Sequence, residues 1–439
     1  MFHQTHYPSI LIIGGGTWGC ATAVQLARRG YKSITVLDAH SIPSPISAGN
    51  DVNKIMEEGS PSPEDDDTTY VWNRLFQLAT EAWRTDPVYA PFYHATGFIM
   101  AASSPEAGKH VDDYVQSCKS PLRLLNTPQD FRSTMAPGIL TGAFPRKASS
   151  VSWVFARGAL EAAYHEASRL GVRFITGDPA GKVVKLIYSS SSPASSSEVD
   201  VLGATTADGT ELRADRTILC AGANSDRLFD FELQVRPTAW TLAHIQMTDA
   251  ERAEWKDLPV LFNVERGFFM EPTTGTGELK FVDEHPGYCN FLDDPETNSE
   301  CSVPFARQQI PLEAEARARQ FLRETVPQIA DRPFSFARIC WDADTPDRVF
   351  LIDRHPKYSS LVVAVGGSGM GFMTMPAVGI QVADALEGRM EPRMKKGFRW
   401  RPETAVGRDW RDTQDRFGGD GKVMDFQKVE GWTDVQGQR

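Results

Sequence analysis

The sequence predicts an α/β chain in two parts: a discontinuous, Rossmann-like part and an α+β part with a mainly antiparallel sheet. Three observations predict it. Residues 11–38, LIIGGGTWGCATAVQLARRGYKSITVLD, pass from an apolar run through a glycine cluster into an amphipathic stretch, a second apolar run and an acid. Much further along, residues 348–388 repeat the logic of strand, turn, strand, glycine loop and helix. Between these regions, 236–248, 258–272 and 277–288 alternate apolar and polar residues as strands of an antiparallel sheet do.

The first unit sets the chemistry. Ile10 to Ile13 read as a buried strand, and Gly14-Gly15-Gly16-Thr17-Trp18-Gly19 fits the G-x-G-x-x-G spacing at its end. Ala21, Val24, Leu26 and Ala27 share one stripe of a helix that begins at Thr17. Gly14 permits the tight turn, Gly16 lets the backbone approach a diphosphate, and Gly19 lets the helix pack on the strand. Free N–H groups and the helix dipole then favour an anion at Thr17 and Trp18. Ile34 to Leu37 make the second strand, and Asp38 ends it where a carboxylate accepts from ribose hydroxyls. No basic residue follows Asp38, which disfavours a 2′-phosphate. A dinucleotide is expected here.

Composition narrows the class. With 439 residues, 41% hydrophobic and 23% charged, the chain resembles an ordinary globular protein with a large core. A net charge of −11 without basic runs argues against nucleic acid as a partner. No apolar stretch is long enough to span a bilayer, and no signal-peptide pattern precedes the first strand, so a cytoplasmic location without a membrane partner is expected. Six cysteines lack C-x-x-C or zinc spacing, and nine His are unclustered; a reducing compartment and no metal are expected. The polar segments 60–69 and 188–200 read as solvated loops, the second within a hairpin.

The remaining elements show how the nucleotide domain is assembled. Residues 156–177 read as an amphipathic helix, a glycine C-cap and a strand; 181–188 as a strand; and 211–225 as a strand entering an Ala-Gly turn. One domain is therefore expected from 1–60, 150–235 and 338–400, and a substrate domain from 61–149 and 236–337. Residues 401–439 form a C-terminal segment expected to pack over the active site. An NAD dehydrogenase normally keeps its nucleotide domain contiguous. Interleaving with an N-terminal fingerprint is more typical of FAD proteins.

The stretches GGGTWG, SAGNDVNKIM, ELKFVDEHPGY, ARICWDADTPDRVFLIDRHP and RDWRDTQDRFGG together resemble the fungal fructosyl amino acid oxidases, or amadoriases, relatives of monomeric sarcosine oxidase. The resemblance covers nearly the whole chain. It implies a monomeric FAD oxidase of the C–N bond in Amadori products. Fructosyl amino acid, O2 and water would give glucosone, free amino acid and H2O2.

The resemblance also assigns residues that look plain alone. Cys340, beside Trp341, reads in isolation as a small buried hydrophobe; the matching family cysteine carries FAD covalently through a thioether to its 8α-methyl carbon. Lys280 and Glu284 share one strand face with Val282 between them, and pattern alone fits a solvated outer face. The resemblance instead puts Lys280 over the flavin, promoting electron transfer to O2, and Glu284 against the substrate's amine and sugar. Arg416 would grip the substrate carboxylate, for which a guanidinium fork is suited. Asp51 would contact substrate, while Ser47, Lys54, Gly369, Gly371 and Phe372 would line the flavin and Val184 would bracket the adenine.

Met373 is a departure, because the family commonly has Lys there on the substrate carboxylate. A Met cannot donate, so affinity or substrate range is in question at that position. The chain ends VQGQR where relatives often carry a peroxisomal S-K-L tripeptide, which supports the cytoplasmic expectation unless the end is truncated. Three rivals remain: an oxidase of sarcosine-like secondary amino acids, an NAD-dependent dehydrogenase and a flavin binder without catalysis.

Overall fold

The computed structural model describes residues 7–117, 124–134, 148–149, 152–189, 199–294, 299–418 and 420–435. The chain divides into two compact units. One comprises Met1–Tyr93, Val154–Pro237 and Asp342–Arg408, the other His94–Trp153, Thr238–Trp341 and Asp409–Arg439.

The first unit is built on a six-stranded sheet ordered Leu351–Arg354, Leu361–Val365, Arg216–Leu219, Ile10–Ile13, Ile34–Asp38, Arg173–Thr176. All its pairings are parallel except the edge pair of Leu351–Arg354 with Leu361–Val365. Ile10 and Ile12 join one hydrophobic cluster, whereas Leu11 and Ile13 join another. Both faces are covered, which is why this strand reads as an unbroken apolar run rather than an alternation. Helices Thr17–Arg28, Ala156–Arg169 and Met375–Glu387 pack in the first cluster. A three-stranded antiparallel layer, Glu211–Arg213, Val201–Thr206, Val183–Tyr188, contributes Leu186, Val201 and Ala204 to the second. The expected strand within 211–225 is thus two strands, one in each sheet.

The expected loop 60–69 is only partly loop. Asp66 accepts from the N–H groups of Thr68 and Thr69 and caps helix Asp67–Thr85. Its acids start a helix that buries Val71, Leu75, Ala79 and Trp83. Most of the loop expected over 188–200 lies outside the described residues.

The second unit carries a mainly antiparallel sheet. Strand Glu278–Cys289 lies between Arg236–Gln246 and Gly267–Phe269, followed by Val260–Asn263 and, in parallel, Phe98–Ala101. Register across these strands aligns Ala243, Phe281, Phe269, Leu261 and Ile99 on one face. All five belong to the core shared with Ala314, Ala318, Phe321 and Leu322 of helix Leu312–Thr325. The opposite face presents Leu242, Val282, Phe268, Phe262 and Met100 in register. Lys280 belongs to that opposite face. Among the described residues no helix is long and apolar enough to cross a membrane.

Candidate active site

The glycine turn of the first unit is shaped for an anion. Gly14 has φ +103°, where an added Cβ would run into the backbone oxygen of Cys220. A Cβ on Gly19 would collide with the Gly14 carbonyl, whereas one on Gly16 would meet nothing within 4 Å. Gly19 is therefore fixed by packing, and Gly16 faces open space at the helix start. No side chain caps this helix at Gly16, which leaves its first-turn N–H groups available to a ligand. Asp38 closes the site by accepting from the N–H groups of Gly15 and His40, each at 2.9 Å. Burial pushes its carboxyl above the usual range, opposed by those two hydrogen bonds. Beneath the turn, Cys20 and Cys220 donate to the carbonyls of Gly15 and Gly14. Burial raises both thiols, that of Cys220 to about 12.

Val184 stands in a bulge. Lys185 pairs with Thr205 and Val183 with Thr206, so Val184 drops out of the ladder and is 47% exposed. Its backbone groups and side chain are thereby offered to a flat partner. Together the open Gly16, the uncapped helix start, the buried acid at the strand end and this bulge fit an FAD. A bound FAD would supply two-electron redox chemistry at this site.

Three further pieces of the first unit converge. A Cβ on Gly49 would lie 2.5 Å from Thr17 Oγ1 and 3.5 Å from the Phe372 ring, so the 47–51 loop meets the helix start and the 369–373 loop. Within the first loop, Asn50 N–H donates to Ser47 Oγ at 3.3 Å. Asp51 is 2% exposed; it accepts from Val52 N–H and pairs with Lys54 Nζ, both at 2.8 Å. Arg157 holds the loop by donating from Nε to Asn50 and from its backbone N–H to Asp51 O.

The second loop is tied by indoles. Trp18 Nε1 donates to Gly371 O at 2.8 Å, and Trp83 Nε1 to Met373 O at 2.7 Å. The Trp83 ring also stacks on Phe372, with centroids 6.1 Å apart. Asp342 accepts from Gly369 N–H at 2.7 Å.

In the second unit, Lys280 sits directly opposite His244 and is 1% exposed, its ammonium 5.4 Å from the Phe268 ring centre. The solvated outer face that pattern alone allowed is overturned, because a surface lysine would keep its head in water. Glu284 is placed by an irregularity. Thr241 pairs with Asp283 and Ala239 with Tyr288, so residues 284–287 swing out opposite Trp240 alone. Such departures re-aim side chains beside functional sites. Gly287, with φ +95°, allows the return past Thr238. Arg416 reaches the same place, its guanidinium carbon 4.8 Å from the Trp240 ring centre and Nη1 3.1 Å from Gln414 Oε1. Gln414 and Asp415 both adopt positive φ, 52° and 61°, a costly turn that directs Arg416. Cys340 is buried in strand Phe336–Asp344.

Comparison with known proteins gives the family. The model of the FAD dependent oxidoreductase family matches residues 9–385. Fructosyl amine:oxygen oxidoreductase (Amadoriase I) from Aspergillus fumigatus is 55% identical over 98% of each chain, with TM-score 0.93. The chain belongs to the amadoriases, within the FAD dependent oxidoreductases. Amadoriase II from the same fungus, a fructosamine oxidase, is 48% identical over 98% of each chain, with TM-score 0.92. L-saccharopine oxidase from Schizosaccharomyces pombe is 29% identical over 413 residues, 90% of this chain and 93% of its own. The expected fold class, FAD and family are borne out, and the NAD-dependent dehydrogenase is excluded.

Sequence reasoning missed three residues that contact the candidate positions. Trp240, under Arg416, read only as one position of the strand expected over 236–248. Trp83 and Asp342 gave no local signal, since each serves a loop far along the chain.

Proposed function

We propose that this amadoriase oxidises fructosyl amino acids at the C–N bond, with O2 and water, to glucosone, free amino acid and H2O2. The observation that carries this reading is the match along 98% of both chains to a fructosyl amine:oxygen oxidoreductase. Each polar group then has a task. The N–H groups from Gly16 to Gly19 hold the diphosphate, with Gly14 shaping the turn, and Asp38 takes the ribose. Val184 brackets the adenine, and Ser47, Lys54, Gly369, Gly371, Phe372 and Met373 line the flavin.

Glu284 and Asp51 take the substrate's amine and sugar hydroxyls, which are donors suited to carboxylates. Lys54 pairs with the Asp51 carboxylate and orients it as an acceptor. Arg416, flat over Trp240, takes the substrate carboxylate. Lys280 holds a fixed positive charge where O2 accepts electrons, an electrostatic role. Cys340 Sγ tethers the flavin covalently and so keeps the ring from drifting.

Two measurements test the reading. Purified protein is expected to release H2O2 with fructosyl-valine or fructosyl-lysine and little with sarcosine; the reverse preference would make it an oxidase of sarcosine-like secondary amino acids. A flavin that bleaches with neither amine would mean binding without catalysis. On acid precipitation the yellow colour should stay with the protein, and Cys340→Ala should release it to the supernatant. Colour in the supernatant of the unmodified protein would refute the tether.

A further inference from the structure

One side chain joins the two ends of the excursion at 284–287. Arg317, on helix Leu312–Thr325, donates from Nε and Nη2 to Asp283 Oδ2 at 3.0 and 2.8 Å. The same Nη2 donates to Tyr288 Oη at 2.8 Å. Asp283 is the last residue in regular register before the excursion and Tyr288 the first after it. Both feet are buried, Asp283 at 5% and Tyr288 at 1% exposure. Tyr288 is held further: its hydroxyl donates to Glu313 at 3.2 Å, and its ring stacks on Phe426. Glu284 N–H still donates to Arg266 O at 3.5 Å, but the register with Arg236–Gln246 lapses until Tyr288, so the shape of the segment is sensitive to where its two ends are pinned.

We propose that Arg317 is a positioning residue for substrate binding: it staples the two ends of the 284–287 excursion and thereby fixes Glu284. The inference rests on the reading that Glu284 contacts substrate. Nη2 alone bridges the two feet and Nε adds a second bond to Asp283; a lysine keeps the charge beside buried Asp283 but offers one nitrogen on a flexible stem in place of this rigid pair. Lys280, three residues before the first foot and in regular register with His244, is outside the stapled segment.

The test is a double-mutant cycle on the holoenzyme. Arg317→Lys should lower kcat/KM for fructosyl-valine roughly tenfold to a hundredfold, the scale on which a misplaced contact acts. Its rate of reoxidation by O2 should stay at the wild-type value. Tyr288→Phe, which removes only one foot's hydroxyl, should show a smaller loss of the same kind. In a Glu284→Gln background neither change should cost more, because the contact they position is already gone. If Glu284→Gln is itself costly and the losses add in full, Arg317 and Tyr288 act on the fold and the staple is refuted. If Glu284→Gln costs nothing, the role given to Glu284 fails, and the inference falls with it.

Discussion

Lys280→Met is expected to slow reoxidation of the reduced enzyme by O2 on the order of a hundredfold, the scale of losing one preorganised electrostatic partner. Anaerobic reduction by fructosyl-valine should change far less. The expectation comes from burial. An ammonium that is 1% exposed has little water to screen it, so its field on a nearby developing anion is stronger than at a surface. O2 gains a localised negative charge as it is reduced, whereas the charge that substrate oxidation would put on the flavin is spread over its ring system. Met keeps most of the length and apolar volume of the lysine stem on the face shared with Val282 and Phe268, so the packing there survives. Stopped-flow measurement of the two half-reactions separates the roles. Equal slowing of both would make Lys280 a substrate-positioning or structural residue.

The parts of this fold that were legible in the sequence are those set by local rules. Glycine spacing, apolar runs and the terminal Asp38 specify the nucleotide unit because each acts within a few residues of itself. Period-2 alternation placed Lys280 and Glu284 on one face, but it does not say which face is covered. The excursion at 284–287 depends on how Asp283 and Tyr288 register against Thr241 and Ala239, which no local pattern encodes. The Pro286-Gly287 pair was the available hint of a break. Asp66 was misread for another reason: its cap signal was present, but the surrounding acids looked like a solvated run. The indole tethers were invisible because they join Trp18 to a residue 353 positions away and Trp83 to one 290 away. Proximity of that kind is created by the fold.

Arg416→Ala should raise KM for fructosyl-valine far more than KM for a fructosyl amine without a carboxylate. The loss of a charge-assisted, bidentate contact in a partly closed site costs on the order of 1.5–3 kcal/mol, or roughly tenfold to a hundredfold. The local structure supports a dedicated role. The guanidinium lies over Trp240, and the preceding turn holds two consecutive non-glycine residues at positive φ. Such strain persists where a side chain must be aimed. Met373 sharpens the test. Its backbone carbonyl is fixed by Trp83, so a side chain substituted there leaves the loop's anchor in place. Met373→Lys should tighten fructosyl-valine binding if a second cation there reaches the same carboxylate, and should leave the carboxylate-free amine unaffected. The competing idea is that Met373 makes room for a bulkier aminoacyl portion, in which case the lysine weakens both substrates by crowding. Steady-state kinetics of both variants on both substrates decides between them. Equal losses for the two substrates in Arg416→Ala would sink the carboxylate role and leave Arg416 a structural residue stacked on Trp240.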